Sequence, residues 1–121
     1  MTNSQTPRIL VVEDEVLIAT HIAAVLESQG FEVIGPYLTV AQALAHLRNP
    51  DPCNVAILDA HLRDESALPV AEALTRLKIP FFVVTGYSRV QLSGELASAR
   101  IFTKPVDTEA LISEIQRHLA H

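Results

Sequence analysis

At 121 residues, with 49% hydrophobic and 19% charged residues, the chain has the length and balance of one globular domain rather than a disordered segment. Nine Lys and Arg against 14 Asp and Glu leave a formal charge of −5 without any basic cluster, which argues against direct nucleic-acid binding. No apolar run approaches a membrane span, the opening MTNSQTPR is polar and too short for a signal peptide, and Cys53 has no second cysteine to pair with, so the expectation is a reduced, cytoplasmic setting.

Past a polar tail over residues 1–7, Arg8 to Val12 reads as a strand that is apolar on both parities, as when both faces are covered. Glu15 to Gln29 turns helical, with Ile18, Ile22, Val25 and Leu26 on one face and Gly30 as the stop. FEVIGPY predicts a second strand ended by Gly35 and Pro36, and TVAQALAHL a helix in which Thr39 and Gln42 have capping-box spacing. After the NPDP loop come a third strand, Val55 to Leu58, ending at Asp59, and a helix around Pro69 to Leu77. IPFFVVTG and RIFT give strands four and five, and Thr108 to Leu119 a last helix with Leu111, Ile112, Ile115 and Leu119 on one stripe. Between strands four and five, YSRVQLSGELASA has weak helical periodicity broken at Ser93-Gly94. Strand and helix alternate five times with short links, so the predicted class is α/β, a single domain over 1–121 with a parallel sheet between helices.

Open parallel sheets place their sites at the carboxyl ends of the strands. Glu13 and Asp14 follow strand one, Asp59 ends strand three, Thr85-Gly86 ends strand four and Lys104-Pro105 ends strand five. Each has an ordinary reading alone. Acids suit a helix start, Asp59 a turn, Thr85 a strand and Lys104 the surface. Capping accidents need not fall at four separate strand ends, and the set suits phosphoryl transfer to a carboxylate. Clustered hard oxygens suit Mg²⁺, which relieves their repulsion, and a lysine and a hydroxyl stabilise the charge on the transferring group.

In ILVVEDE, AILDA, FFVVTG and FTKP, over about Arg8 to Leu119, the chain resembles a response-regulator receiver domain of two-component signalling. The resemblance implies a doubly wound five-stranded sheet of order 2-1-3-4-5, an order for which a receiver is a standing example. It implies Asp59 as phosphoacceptor, supplied by a phosphohistidine on a sensor histidine kinase. Asp14 would bind Mg²⁺ directly, Glu13 mainly through water, and the main-chain carbonyl of His61 would be a further ligand. Thr85 and Lys104 would hold phosphoryl oxygens, Phe102 would be the switch aromatic that moves inward with Thr85, and Lys104-Pro105 would be cis.

The departures are informative. The loop after Asp59 reads AHLRDESALPV, without the family's frequent Met-Pro and Gly. PFFVVTGY resembles a subgroup with a Pro-Phe-x-Phe-Ala-Thr-Gly-Tyr strand, in which Val83 and Val84 replace Phe and Ala; that subgroup points to a kinase of the HWE type. The span from Thr85 to Lys104 is short by about one helical turn, so helix four is expected to be reduced or disordered. His61 and Tyr87 are candidates for tuning phosphoryl lifetime. His21 and His46 read as surface or boundary residues, His118 and His121 as C-terminal residues that suit the helix dipole rather than a metal site, and Cys53 as a small apolar one. The expected role is a stand-alone switch whose output is binding another protein, catalytic only toward its own phosphorylation and hydrolysis. The alternatives are a phosphate sink or shuttle in a phosphorelay, a receiver cut from a hybrid kinase, and a flavodoxin-like cofactor binder that the acidic rim disfavours.

Overall fold

Short apolar runs with one turn signal between each pair fold here as predicted in kind, with three local surprises. The computed structural model describes residues 6–63, 65–86 and 92–120. In chain order the elements are β1 (Arg8–Val12), α1 (Val16–Ser28), β2 (Glu32–Tyr37), α2 (Val40–His46), β3 (Val55–Asp59), β4 (His61–Leu62), β5 (Glu65–Ser66), α3 (Leu68–Arg76), β6 (Phe81–Thr85), α4 (Gly94–Ser98), β7 (Arg100–Thr103) and α5 (Thr108–Leu119). The main sheet is parallel with order β2-β1-β3-β6-β7. Counting only its five strands, that is 2-1-3-4-5.

Strand parity divides the core in two. Leu10, Val12, Ala56, Leu58 and Val83 face α2, α3 and α4, where they meet Ala43, Val70, Leu74 and Leu96. Ile9, Val11, Val55, Ile57, Phe82 and Val84 face α1 and α5, and meet Ile22, Leu26, Leu111 and Ile115. Consecutive residues of a strand point to opposite faces, so the continuous apolar runs are what a sheet covered on both sides requires. Each fully buried large side chain contributes roughly 1.5–3 kcal/mol of transfer free energy. Caps fix the helix starts: Thr39 Oγ1 accepts from Gln42 N at 3.1 Å, Gln42 Oε1 accepts from Leu38 N at 2.8 Å, and Asp107 Oδ1 accepts from Ala110 N at 3.1 Å. Among the described residues, no helix is long and apolar enough to cross a membrane.

The first surprise corrects the end of strand two. β2 runs through Gly35 and Pro36 to Tyr37, and the Gly35–Pro36 bond is cis. Proline is tolerated because β2 is an edge strand and its missing N–H leaves no ladder partner stranded. Gly35 has φ +95°, and a Cβ there would lie 2.6 Å from Tyr37 N and 2.9 Å from Val11 O. Gly35→Ala is therefore expected to destabilise the fold by about 2 kcal/mol or more, read as a shift in urea midpoint at unchanged slope.

The second is an antiparallel pair, β4 with β5, in the loop after Asp59. The third concerns helix four. It is short, five residues, and Ser93-Gly94 starts it rather than breaking it, with Ser93 in the N-cap position and Leu92 and Leu96 buried beneath.

Candidate functional site

Glu13, Asp59 and Thr85 are the buried polar or charged side chains among the described residues, at 1%, 5% and 0% exposure, and all three lie on one rim of the sheet. β1, β3 and β6 deliver them because parallel strands end together. The rim is pinned by main-chain bonds: Glu13 N donates to Tyr37 O at 2.9 Å, Ala60 N to Val84 O at 3.0 Å and Lys104 N to Thr85 O at 2.8 Å. Thus β2 positions the first acid, and the end of β6 positions both the residue after Asp59 and the lysine. The Lys104–Pro105 bond is cis.

Lys104 Nζ lies 3.1 Å from Asp59 Oδ2, 3.4 Å from both carboxylate oxygens of Glu13 and 2.5 Å from Glu15 Oε1. An ammonium has three N–H donors, and three carboxylates surround this one. Burial works against its charge, but hydrogen bonds to Glu15 and Asp59, then attraction to Asp59 and Glu13, outweigh burial and hold the lysine above its ordinary value. Glu13 is raised as well, which for a carboxyl favours the neutral form. Burial pushes its carboxyl up to about 8, and the adjacent Asp59 carboxyl adds to this, while the Glu15 amide that donates to Glu13 Oε2 at 3.0 Å pulls down. His61 N donates to Asp59 Oδ1 at 3.1 Å and Arg63 N donates to Asp14 Oδ2 at 2.6 Å.

Glu13, Asp14 and Asp59 each offer one carboxylate oxygen within 4.8 Å of the other two. Glu13 Oε1 is buried without a hydrogen-bond partner. A buried carboxyl oxygen without a hydrogen bond, in a cluster of hard oxygen donors, fits a divalent cation such as Mg²⁺. The rim opens on a groove of about 430 Å³ lined by Asp14, Glu15, Asp59, His61, Arg63, Gly86 and Lys104.

The structure thus brings together Glu13, Asp14, Asp59, Thr85 and Lys104, with His61 on the groove wall. Phe102 is apart from them on the α1/α5 side, 7% exposed, its ring edge-on to Phe82 at 6.1 Å and under the Arg100 guanidinium at 5.3 Å. Tyr87 lies outside the described residues, as does His121. Sequence reasoning passed over Arg63, whose main-chain N–H fixes Asp14 from a left-handed φ of +60°. The one available signal was the unusual loop after Asp59. It also read Glu15 as a helix-start acid, without its contact to Lys104.

The remaining histidines and the cysteine have other employment. His21 is exposed, and His46 is half-buried between Pro52 O at 2.8 Å and the Tyr37 hydroxyl at 3.3 Å. His118 sits edge-on to Phe82 at 5.2 Å. Cys53 is buried, and burial pushes its thiol up to about 11, which suits packing and not reactivity.

Comparison with known proteins agrees with this fold. A family model described as the response regulator receiver domain matches residues 9–116. Among sequence relatives, the sensory transduction protein LytT of Bacillus cereus is 29% identical over 115 residues, 92% of this chain and 46% of that protein. The transcriptional regulatory protein PdtaR of Mycobacterium tuberculosis is 28% identical over 115 residues, 90% of this chain and 55% of that protein. The chain therefore spans about half the length of these relatives. Among solved structures, SdrG from Sphingomonas melonis Fr1 superposes with TM-score 0.81 at 35% identity, covering 97% of this chain and 99% of that one. A CheY-like receiver domain protein from Methanospirillum hungatei superposes with TM-score 0.80 at 29% identity, covering 96% and 95%. On the family match over residues 9–116, and with an acidic rim and lysine of the kind just described, the chain belongs to the response regulator receiver domain family.

Proposed function

We propose that this domain accepts a phosphoryl group on Asp59 from a phosphohistidine of a sensor histidine kinase, and that its output is binding to another protein. The observation that carries the proposal is the Asp59 carboxylate, 5% exposed yet on the wall of an open groove, with the Lys104 ammonium 3.1 Å away and two further acids beside it. In the transfer, an Asp59 oxygen forms the bond to phosphorus as the phosphorus–nitrogen bond to the imidazole breaks, and the leaving imidazole takes a proton from water. Lys104 and Thr85 hold the equatorial phosphoryl oxygens, where the transition state concentrates charge. Asp14, Asp59 and the main-chain carbonyl of His61 would hold Mg²⁺, with Glu13 mainly through water. When bound, the ion neutralises the clustered carboxylates and the phosphoryl charge.

On this reading the domain is a Mg²⁺-dependent cytoplasmic switch and no enzyme toward other substrates. It assists only its own phosphorylation and hydrolysis. Thr85 and Phe102 carry the conformational change, Phe102 by packing because it has no hydroxyl. Pro80, Phe81, Thr85, Gly86 and Tyr87 keep the subgroup pattern noted above, which supports a kinase of the HWE type.

A solved structure carries the name BeF₃-activated SdrG, which recommends the same phosphoryl mimic here. The test pairs intact mass after incubation with acetyl phosphate, with and without Mg²⁺, and amide NMR with BeF₃⁻. A gain of one phosphoryl group that needs Mg²⁺, together with BeF₃⁻ shifts near Thr85, is the expected result. The absence of both responses would overturn the proposal.

A further inference from the structure

Three carboxylates hold Lys104, and one of them differs from the rest. Glu13 and Asp59 side chains are 2% and 7% exposed, whereas that of Glu15 is 58% exposed and makes the shortest contact, 2.5 Å. Glu15 occupies the N-cap position of α1, where a side-chain oxygen ordinarily accepts from the first turn of amides. It makes no such cap. Its carboxylate crosses 89 residues of sequence to Lys104 instead and lines the groove beside Asp59. A residue that forgoes capping to hold the lysine from the solvent side has left the helix start for the site.

We infer that Glu15 is a positioning residue that competes with the phosphoryl group for Lys104. The inference rests on the phosphoryl chemistry proposed above. Before phosphorylation all three ammonium donors face carboxylates; phosphorylation replaces the Asp59 contact, so a phosphoryl group that draws a second donor of Lys104 must displace Glu13 or Glu15. Glu13 is fixed in the core by the amide of Glu15, and Asp59 carries the phosphoryl group itself. Glu15, exposed enough to re-enter water at little desolvation cost, is the one that yields. Its release is a cost set against every phosphorylation event, and its return favours loss of the group. Glu15 thereby sets the poise of the switch without touching the reacting atoms.

Two variants separate contact from bulk charge. Glu15→Gln keeps the reach and removes the charge, and Glu15→Asp keeps the charge and shortens the reach. The chain has two lysines, Lys78 and Lys104, so ¹⁵N-lysine NMR of the metal-free protein reads Lys104 with exposed Lys78 as internal control. Both variants are expected to shift the Lys104 ammonium signal and leave that of Lys78 in place. In Mg²⁺, BeF₃⁻ titration is expected to show half-saturation about two- to fivefold lower for both, the range set by the strength of partly exposed ion pairs. An unmoved Lys104 signal, or unchanged BeF₃⁻ affinity in both variants, overturns the inference. So does Glu15→Asp behaving like wild type while Glu15→Gln binds tighter, since charge alone would then suffice. If the Lys104 signal moves but no protein, wild type included, binds BeF₃⁻, the receiver chemistry has failed and the competition with it.

Discussion

Asp59→Asn is expected to abolish the Mg²⁺-dependent mass gain entirely, while the protein stays folded. The amide is nearly isosteric, so the packing around a side chain 5% exposed is preserved, and the His61 amide that donates at 3.1 Å keeps an oxygen to meet. What disappears is the nucleophile. A carboxamide oxygen forms no stable phosphoryl ester, and the alternatives on the rim are poorly placed. Glu13 is buried and held by the amide of Glu15, and Asp14 is held by the amide of Arg63 at 2.6 Å. Intact mass beside a circular-dichroism melt checks both halves. A phosphoryl gain that survives in Asp59→Asn would move the acceptor elsewhere on the rim.

The second large effect is a pH dependence that reverses the usual carboxylate behaviour. Glu13 is raised from 4.5 to about 8, so the folded protein binds its proton more tightly than the unfolded chain does. Its contribution to stability is therefore fully present below about pH 4.5 and is lost as pH rises through about 8. Metal-free protein should lose on the order of a few kcal/mol across that window, since each tenfold difference in proton affinity between the folded and unfolded states is worth about 1.4 kcal/mol. Added Mg²⁺ should stabilise more strongly at pH 8.5 than at pH 5.5, because the cation replaces the proton on the cluster. Glu13→Gln should flatten the metal-free curve and weaken the Mg²⁺ response. Urea midpoints at a series of pH values, with EDTA and with Mg²⁺, read all three. A metal-free stability that rises from pH 5 to 8 and falls again in Glu13→Gln would mean that the charged form of Glu13 is the favoured one.

The five main strands were legible because the signals behind them are local, while their order followed from the receiver resemblance and not from those signals. Runs such as ILVV and VAIL are apolar on both parities, and each is bounded by a turn. The carboxyl-end rule then placed Glu13, Asp14, Asp59, Thr85 and Lys104 on one rim from sequence alone, since it needs only the ends of strands. What escaped depends on contacts between distant segments. Two-residue strands such as His61–Leu62 and Glu65–Ser66 are too short to show periodicity. Arg63 reaches Asp14 with a main-chain amide, which no side-chain chemistry announces. The end of β2 was misplaced because Gly-Pro ordinarily stops a strand, and only an edge position with a left-handed glycine lets it continue. Glu15 had the right residue type for helix N-terminal stabilisation, and nothing in its neighbourhood says that its carboxylate bonds Lys104.

The hydrogen bond from Lys104 N to Thr85 O at 2.8 Å has a mechanical corollary. Thr85 and Lys104 belong to different segments of the rim, yet one amide ties their backbones together just past the last residue pair of the β6–β7 ladder, Thr85 with Thr103. On the proposed reading one residue reports the phosphoryl group and the other retains it, so the tether makes reporting and retention a single degree of freedom. On that same proposal, a partner that pulls on the end of β6 would change how long the phosphoryl group lasts. A change in β7 that slowed its loss would in turn be felt by the partner.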